Sequence, residues 1–208
     1  MNKNLLAVLI ATLGIVLVWV LFFWNPATDG KPAEHQTMAL SAKPVGGDFT
    51  VEIQNKDLAL QDLRGKVVLL YFGYTQCPDI CPTSLSLLSQ ALSEMTEDEL
   101  AGVQSIFISV DPDRDNTARL DEYTRYFHEN IIGATAEKED IDRITAQYGA
   151  SYRIVDSNSA MGYIVDHSSF TYVIDQQGKL RQSLAHGTEP AKILEAVRGL
   201  LAEKPASS

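Results

Sequence analysis

The 208 residues are 45% hydrophobic and 21% charged, enough for one globular domain plus an apolar surplus and too few for a two-domain enzyme. Seventeen Lys and Arg against 27 Asp and Glu leave a net charge of -10, which repels a phosphate backbone and excludes a nucleic-acid partner. Two cysteines cannot build a disulfide-stapled scaffold or a four-cysteine zinc site, so any sulfur chemistry belongs to Cys77 and Cys81 together.

The apolar surplus lies at the front. Leu5 to Trp24 carries no charge, and its 20 residues in a helix span about 30 Å, the thickness of a bilayer core. A cleaved signal has a shorter apolar run, about 7–15 residues, followed by small residues. Residues 1–24 therefore read as an uncleaved single-pass anchor, with Trp19 adding aromatic bulk and Trp24 at the interface. Lys3 precedes the span while Asp29, Lys31 and Glu34 follow it, which turns the domain away from the cytoplasm. No Arg-rich, Ser-rich presequence is visible, so the expected location is a bacterial inner membrane with the domain in the periplasm. Residues 25–44, polar and dotted with proline, read as a flexible tether in which His35 is solvated. Residues 204–208 read as a disordered tail.

Between 45 and 203, strand and helix patterns alternate. Strands are predicted at Phe49–Ile53, Val67–Phe72, Ser105–Val110, Phe170–Ile174 and Leu180–Leu184; the second and third are the near-continuous apolar runs of buried parallel strands. Helical spacing links Leu85, Leu88, Leu92 and Met95; Leu120, Tyr123 and Phe127; Ile141, Ile144 and Tyr148; and Ile193, Val197, Leu200 and Leu201. The order suits a thioredoxin-like α/β fold. Its central mixed, mostly parallel sheet is flanked by helices and closed by a hairpin around Asp175-Gln176-Gln177-Gly178.

Cys77 and Cys81 follow the strongest strand, in YFGYTQCPDICPTS, at the sheet edge where open α/β folds bind ligands. Pro82 reads as the first helical residue, placing Cys81 near the N-cap, where the helix dipole should make at least one of the two thiols ionise more readily than a free one. The Cys-x3-Cys spacing fits a metal-binding pair, a redox-active dithiol or a structural disulfide. Soft thiolates favour Cu(I), and an added imidazole suits Cu(II). No proline occurs between Pro112 and Pro190, so the substrate-guiding proline of dithiol oxidoreductases is missing; Asp166-His167-Ser168-Ser169 stands there instead. That shifts weight toward metal, with His167 as the added ligand and Asp166 in solvent or orienting the ring. His128 reads as a helix-end cation and His186 as a turn residue. Asp111, Asp113, Asp115 and Glu122 mimic calcium-loop spacing. Asn116 at the glycine position and the preceding strand argue for helix capping there, with Arg114 in a modest surface ion pair.

GGDFTV, YFGYTQCPDICPTS, SVDPDRD and YIVDHSSFTYVID, in this order from about Val45 to Leu201, resemble the Sco/SenC proteins, membrane-tethered thioredoxin-fold copper proteins of cytochrome c oxidase assembly. Gln76 stands where many relatives carry another polar residue. The resemblance implies a metallochaperone with Cys77, Cys81 and His167 as copper ligands, for Cu(I), Cu(II) or both. It implies the copper-receiving oxidase subunit as partner, with another copper chaperone or a thiol reductant upstream. The alternatives are a thiol-disulfide reductase, in which Cys77 attacks and Cys81 resolves, and a copper or redox sensor.

Overall fold

The computed structural model describes residues 2–23, 37–54, 56–157 and 162–203. Trp24, the tether from 25 to 36 with His35, and the 204–208 tail lie outside the described residues. The chain divides into two compact units, 1–34 and 35–208. The first holds helix α1, Lys3–Phe23. Leu5, Leu9, Leu13, Val16 and Trp19 are all exposed along it, and Thr12 returns its hydroxyl to the Val8 and Leu9 carbonyls, so its one hydroxyl is satisfied internally. Among the described residues it is the one helix long and apolar enough to cross a membrane.

The second unit begins with β1 (Thr37–Met38), β2 (Thr50–Ile53), β3 (Lys56–Ala59), a 3-10 turn and β4 (Val67–Gly73). Helix α2 (Ile80–Ser93), the short α3 (Glu97–Ala101), β5 (Val103–Ser109), α4 (Thr117–Phe127), β6 (Ile131–Ala134) and α5 (Lys138–Gln147) follow. β7 (Tyr152–Asp156), β8 (Tyr163–Ser168), β9 (Phe170–Ile174), β10 (Leu180–Ala185) and α6 (Pro190–Ala202) complete it. The five predicted strands and four predicted helical stripes are all present, with ends displaced by a residue or two.

The main sheet has the order β10-β9-β4-β5-β6. β4, β5 and β6 run parallel, and β9 and β10 run antiparallel to their neighbours. This is the central mixed sheet of a thioredoxin-like fold. All seven residues of β4 are buried, as a central strand covered on both faces requires. α2 packs on α6, and α4 lies against β6. The predicted hairpin turn is present: the Gly178 N–H donates to the Asp175 carbonyl at 2.8 Å, with Gly178 at φ +80°.

A second, three-stranded sheet, β1-β8-β7, is the part the sequence pattern conceals. β7 is mostly exposed without alternation, and β8 sets Asp166 and His167 inside a buried strand, so both read as loop. β1 corrects the tether boundary. Thr37 pairs with His167 and Met38 with Ser168, so the folded unit takes in residues assigned to the linker. Ser41 N–H then donates to the Gly149 carbonyl at 2.8 Å, and Val45 and Gly46 donate to the Gln147 carbonyl. Backbone pairing of this kind carries no hydrophobic signature, which is why a polar, proline-dotted stretch conceals it.

Gly149 adopts φ +64°, and a Cβ there would run into the Ala42 carbonyl oxygen. Gly149→Ala should therefore destabilise the domain by about 1–3 kcal/mol, through left-handed strain plus loss of the 41–46 docking. Thermal unfolding of the full chain, with amide exchange at Ser41 and Val45, measures it.

Candidate metal centre

Both cysteines enter through the loop and first turn after β4. α2 starts at Ile80 with Asp79 at the N-cap, so Cys81 is its second residue and Pro82 its third, two places later than the sequence suggests. Proline is tolerated there because first-turn N–H groups have no helical acceptor. Asp79 makes no side-chain capping bond. A sulfur takes that part: the Cys81 N–H donates to Cys77 Sγ at 3.3 Å. The helix terminus thus faces the Cys77 sulfur, where the expectation had placed Cys81.

Cys81 itself is fully buried. Burial, reinforced by the hydrogen bond to Cys77 and the charge on it, pushes its thiol well above the ordinary range. At Cys81, therefore, desolvation outweighs the helix dipole, and the easier ionisation expected of at least one of the two thiols is not met there. The same burial, with Cys81 alongside, pushes the Tyr71 phenol up.

His167 sits on β8, the middle strand of the small sheet, opposite Thr37 on one side and Tyr152 on the other. Backbone pairing on both flanks fixes its direction. Its ring is wholly buried, edge-on to Tyr71 (6.2 Å between centroids, 84°) and to Tyr74 (6.0 Å, 87°). Nε2 lies 3.2 Å from Cys81 Sγ, and Nδ1 lies 3.2 Å from the Ser168 carbonyl oxygen. With the ring proton on Nδ1 and donated to Ser168, Nε2 presents its lone pair to the sulfur, and the Cys81 S–H donates to it. A metal ion would replace that shared proton.

The ligand atoms of Cys77, Cys81 and His167 all lie within 4.8 Å of one another. They form the one such group of His, Cys, Asp or Glu among the described residues. Cys77, 5% exposed against 0% for the other two, is the donor nearest solvent. Gly73 leaves the room: a Cβ there would stand 2.7 Å from Cys81 Sγ and 2.7 Å from the Phe107 ring. Two thiols and one imidazole suit a soft or borderline ion; a structural zinc site would need a fourth donor.

Other sequence candidates fall elsewhere. Asp166 is buried and paired with Arg153 at 2.8 Å, on a neighbouring position of β8 whose side chain alternates to the other face from His167, so it is not solvated as expected. His128 accepts the Asn130 N–H through Nδ1, a turn-forming contact at the end of α4. His186 is exposed, its Nδ1 2.8 Å from Ser84 Oγ, and outside the cluster. In the acidic loop, Asn116 caps α4 by accepting the Arg119 N–H, as expected of capping, while Asp111 and Asp115 are engaged by protein donors. Arg114 is largely buried, so its ion pair is more than a surface contact. Tyr71, Gly73 and Tyr74 border the cluster without any motif that marks them; the alternation along YFGYT, which puts Tyr71 and Gly73 on one face, is the available signal.

A thioredoxin-like domain with a buried Cys-x3-Cys pair and a distant histidine at one point is a defined class of protein. The family model described as SCO1/SenC matches residues 37–202. A SCO2-like protein of Rickettsia felis is 32% identical over 203 residues, covering 96% of this chain and 98% of that protein. The structure of Bradyrhizobium japonicum ScoI with copper bound superposes with TM-score 0.69 at 31% identity, over 76% of this chain and 99% of that one. Yeast Sco1 with copper bound gives TM-score 0.67 at 32% identity, over 78% and 92%. The chain belongs to the SCO1/SenC family.

The raised Cys81 thiol has a consequence for stability. Between the unfolded thiol value, about 8.5, and the higher folded one, only the unfolded chain has lost the proton, so stability falls as pH rises. Metal-free protein should lose up to about 1.4 kcal/mol per pH unit above about pH 8.5 relative to Cys81→Ser. Denaturant unfolding of both proteins at pH 7.5 to 9.5 checks the difference, and a pH-independent difference would contradict it.

Proposed function

We propose that this protein is a membrane-tethered copper chaperone of a bacterial inner membrane, with its domain in the periplasm, serving the dinuclear copper site of cytochrome c oxidase. Copper is its cargo. The thiolates of Cys77 and Cys81 and the Nε2 of His167 hold the ion. The observation that carries this reading is the 3.2 Å approach of His167 Nε2 to Cys81 Sγ across 86 residues of sequence, in a cluster with Cys77. Family membership supports it, as do the two relatives whose structures were solved with copper bound. The helix α1 supports the tether, and the oxidase enters through the family resemblance.

The chemistry follows from the donor set. Loading displaces the thiol protons, including the one shared by Cys81 and His167, so uptake is coupled to proton release. Two thiolates suffice for Cu(I), while the imidazole completes a site for Cu(II). Three protein donors leave a coordination position through which a partner's cysteine or histidine can begin ligand exchange, with Cys77 as the donor nearest the surface. Release to the copper-receiving oxidase subunit then needs no free ion, and another copper chaperone supplies the site in the same way.

A second reading, a thiol-disulfide reductase acting on the oxidase cysteines, draws on one observation: the two cysteines are not joined in a disulfide and lie close enough for the pair to cycle between dithiol and disulfide. Cys77 would attack the partner disulfide and Cys81 would resolve it, the pair being oxidised as the partner is reduced; a thiol reductant then resets it.

Copper titration of the reduced full-length protein in detergent separates the two. The chaperone reading expects a one-to-one complex with thiolate-to-Cu(II) charge-transfer absorption. In His167→Ala, Cu(II) affinity should fall at least about 100-fold, with circular dichroism unchanged. Unchanged affinity in that variant, combined with reduction of a substrate disulfide, would favour the reductase.

A further inference from the structure

We propose that Arg114 is a positioning residue of the metal centre, holding the His167 strand against the cysteine loop so that the donors are assembled before the ion arrives. The inference rests on the copper-binding reading above and concerns how the site is kept in shape.

The loop after β5 carries two carboxylates that are almost fully buried, Asp111 at 3% and Asp115 at 1% exposed. Buried carboxylates persist only where donors satisfy them. Asp115 accepts the Thr75 N–H at 2.9 Å, the Thr75 hydroxyl at 2.5 Å and the Ser109 hydroxyl at 2.7 Å. Thr75 lies two residues before Cys77, so Asp115 pins the cysteine loop. Asp111 accepts from Arg114 Nε at 2.5 Å and from the Tyr163 hydroxyl at 2.7 Å. Tyr163 opens β8, four residues before His167. The same short loop therefore grips both donor segments.

Arg114 is the bridge between them. One of its terminal nitrogens donates to the Tyr163 carbonyl at 3.0 Å, its guanidinium carbon lies 3.5 Å from the Tyr163 ring centroid, and the Tyr74 ring centroid is 5.6 Å away. Tyr74 comes from the cysteine loop and Tyr163 from the histidine strand. Tyr74 in turn accepts the Val165 N–H at 3.2 Å and sets its ring edge against His167. A planar guanidinium that hydrogen-bonds in its plane and stacks on its face sets a separation in a way a flexible ammonium cannot.

Loosening this bridge should cost the nitrogen donor and spare the two sulfurs. Cu(II) depends on the imidazole, while two thiolates suffice for Cu(I), so the two ions report separately. The experiment compares wild type, Arg114→Gln and Arg114→Lys as full-length protein in detergent, by competition titration with Cu(I) and Cu(II) and by amide exchange on the metal-free chain. The expected result for Arg114→Gln is a Cu(II) affinity about 10–100-fold weaker, a shifted charge-transfer band, Cu(I) affinity unchanged within error, and faster exchange at Val165 and His167 with α6 unaffected. Arg114→Lys should fall between, and carries the same comparison should the glutamine variant not fold. Equal losses for both ions, or unaltered exchange along β8, would overturn the proposal. If wild type bound no copper at all, the chaperone reading would fail, while exchange in the metal-free protein would still decide the role of Arg114.

Discussion

The contact on which this structure turns is the one between Cys81 and His167, a thiol and an imidazole buried together 3.2 Å apart. Neither group belongs to the other's sheet. Cys81 lies in the first turn of α2, which follows β4 of the main sheet, and His167 is on the middle strand of a separate three-stranded sheet. Bringing them together requires β8 to be paired on both flanks, which gives the two-residue strand β1 its importance. It requires a glycine at position 73, since any side chain there would displace the sulfur or the Phe107 ring. It also requires polar groups that tie the loops without entering the cluster.

Burial gives the centre its chemical character. A thiol at the start of a helix is ordinarily acidified, but Cys81 is so thoroughly desolvated that the neutral form wins. The helix terminus is directed at Cys77, the donor nearest solvent. In the metal-free protein Cys81 Sγ and His167 Nε2 stand at hydrogen-bonding distance where the proposed ion would sit. Keeping the Cys81 thiol protonated spares the core an uncompensated charge at that atom. On the copper reading, uptake at Cys81 exchanges a proton for the metal.

Much of this was legible in the sequence, for identifiable reasons. Val67–Phe72 and Ser105–Val110 are apolar runs that only buried strands explain, and the stripes through Leu85, Leu120, Ile141 and Ile193 have one helical interpretation. The cysteine pair announced itself by spacing and by its place after the strongest strand. His167 was reached indirectly, through the missing proline and the family motifs. What stayed hidden depends on pairing or on partners remote in sequence. β1 is a two-residue strand known by its backbone pairing with β8, and β8 buries Asp166 and His167 where a strand pattern would have apolar residues. The Asp111–Asp115 segment looked like an imperfect calcium loop because spacing records which residues are acidic and not what they touch. Its carboxylates are occupied by Thr75, Ser109, Arg114 and Tyr163.

The most direct test of the account is the coordination sphere itself. X-ray absorption at the copper edge, on the full-length protein loaded with one equivalent of Cu(II), should show two sulfur scatterers and an imidazole, with the imidazole signal lost when position 167 is alanine. A sphere of nitrogen and oxygen alone, or an imidazole signal that survives that substitution, would contradict it.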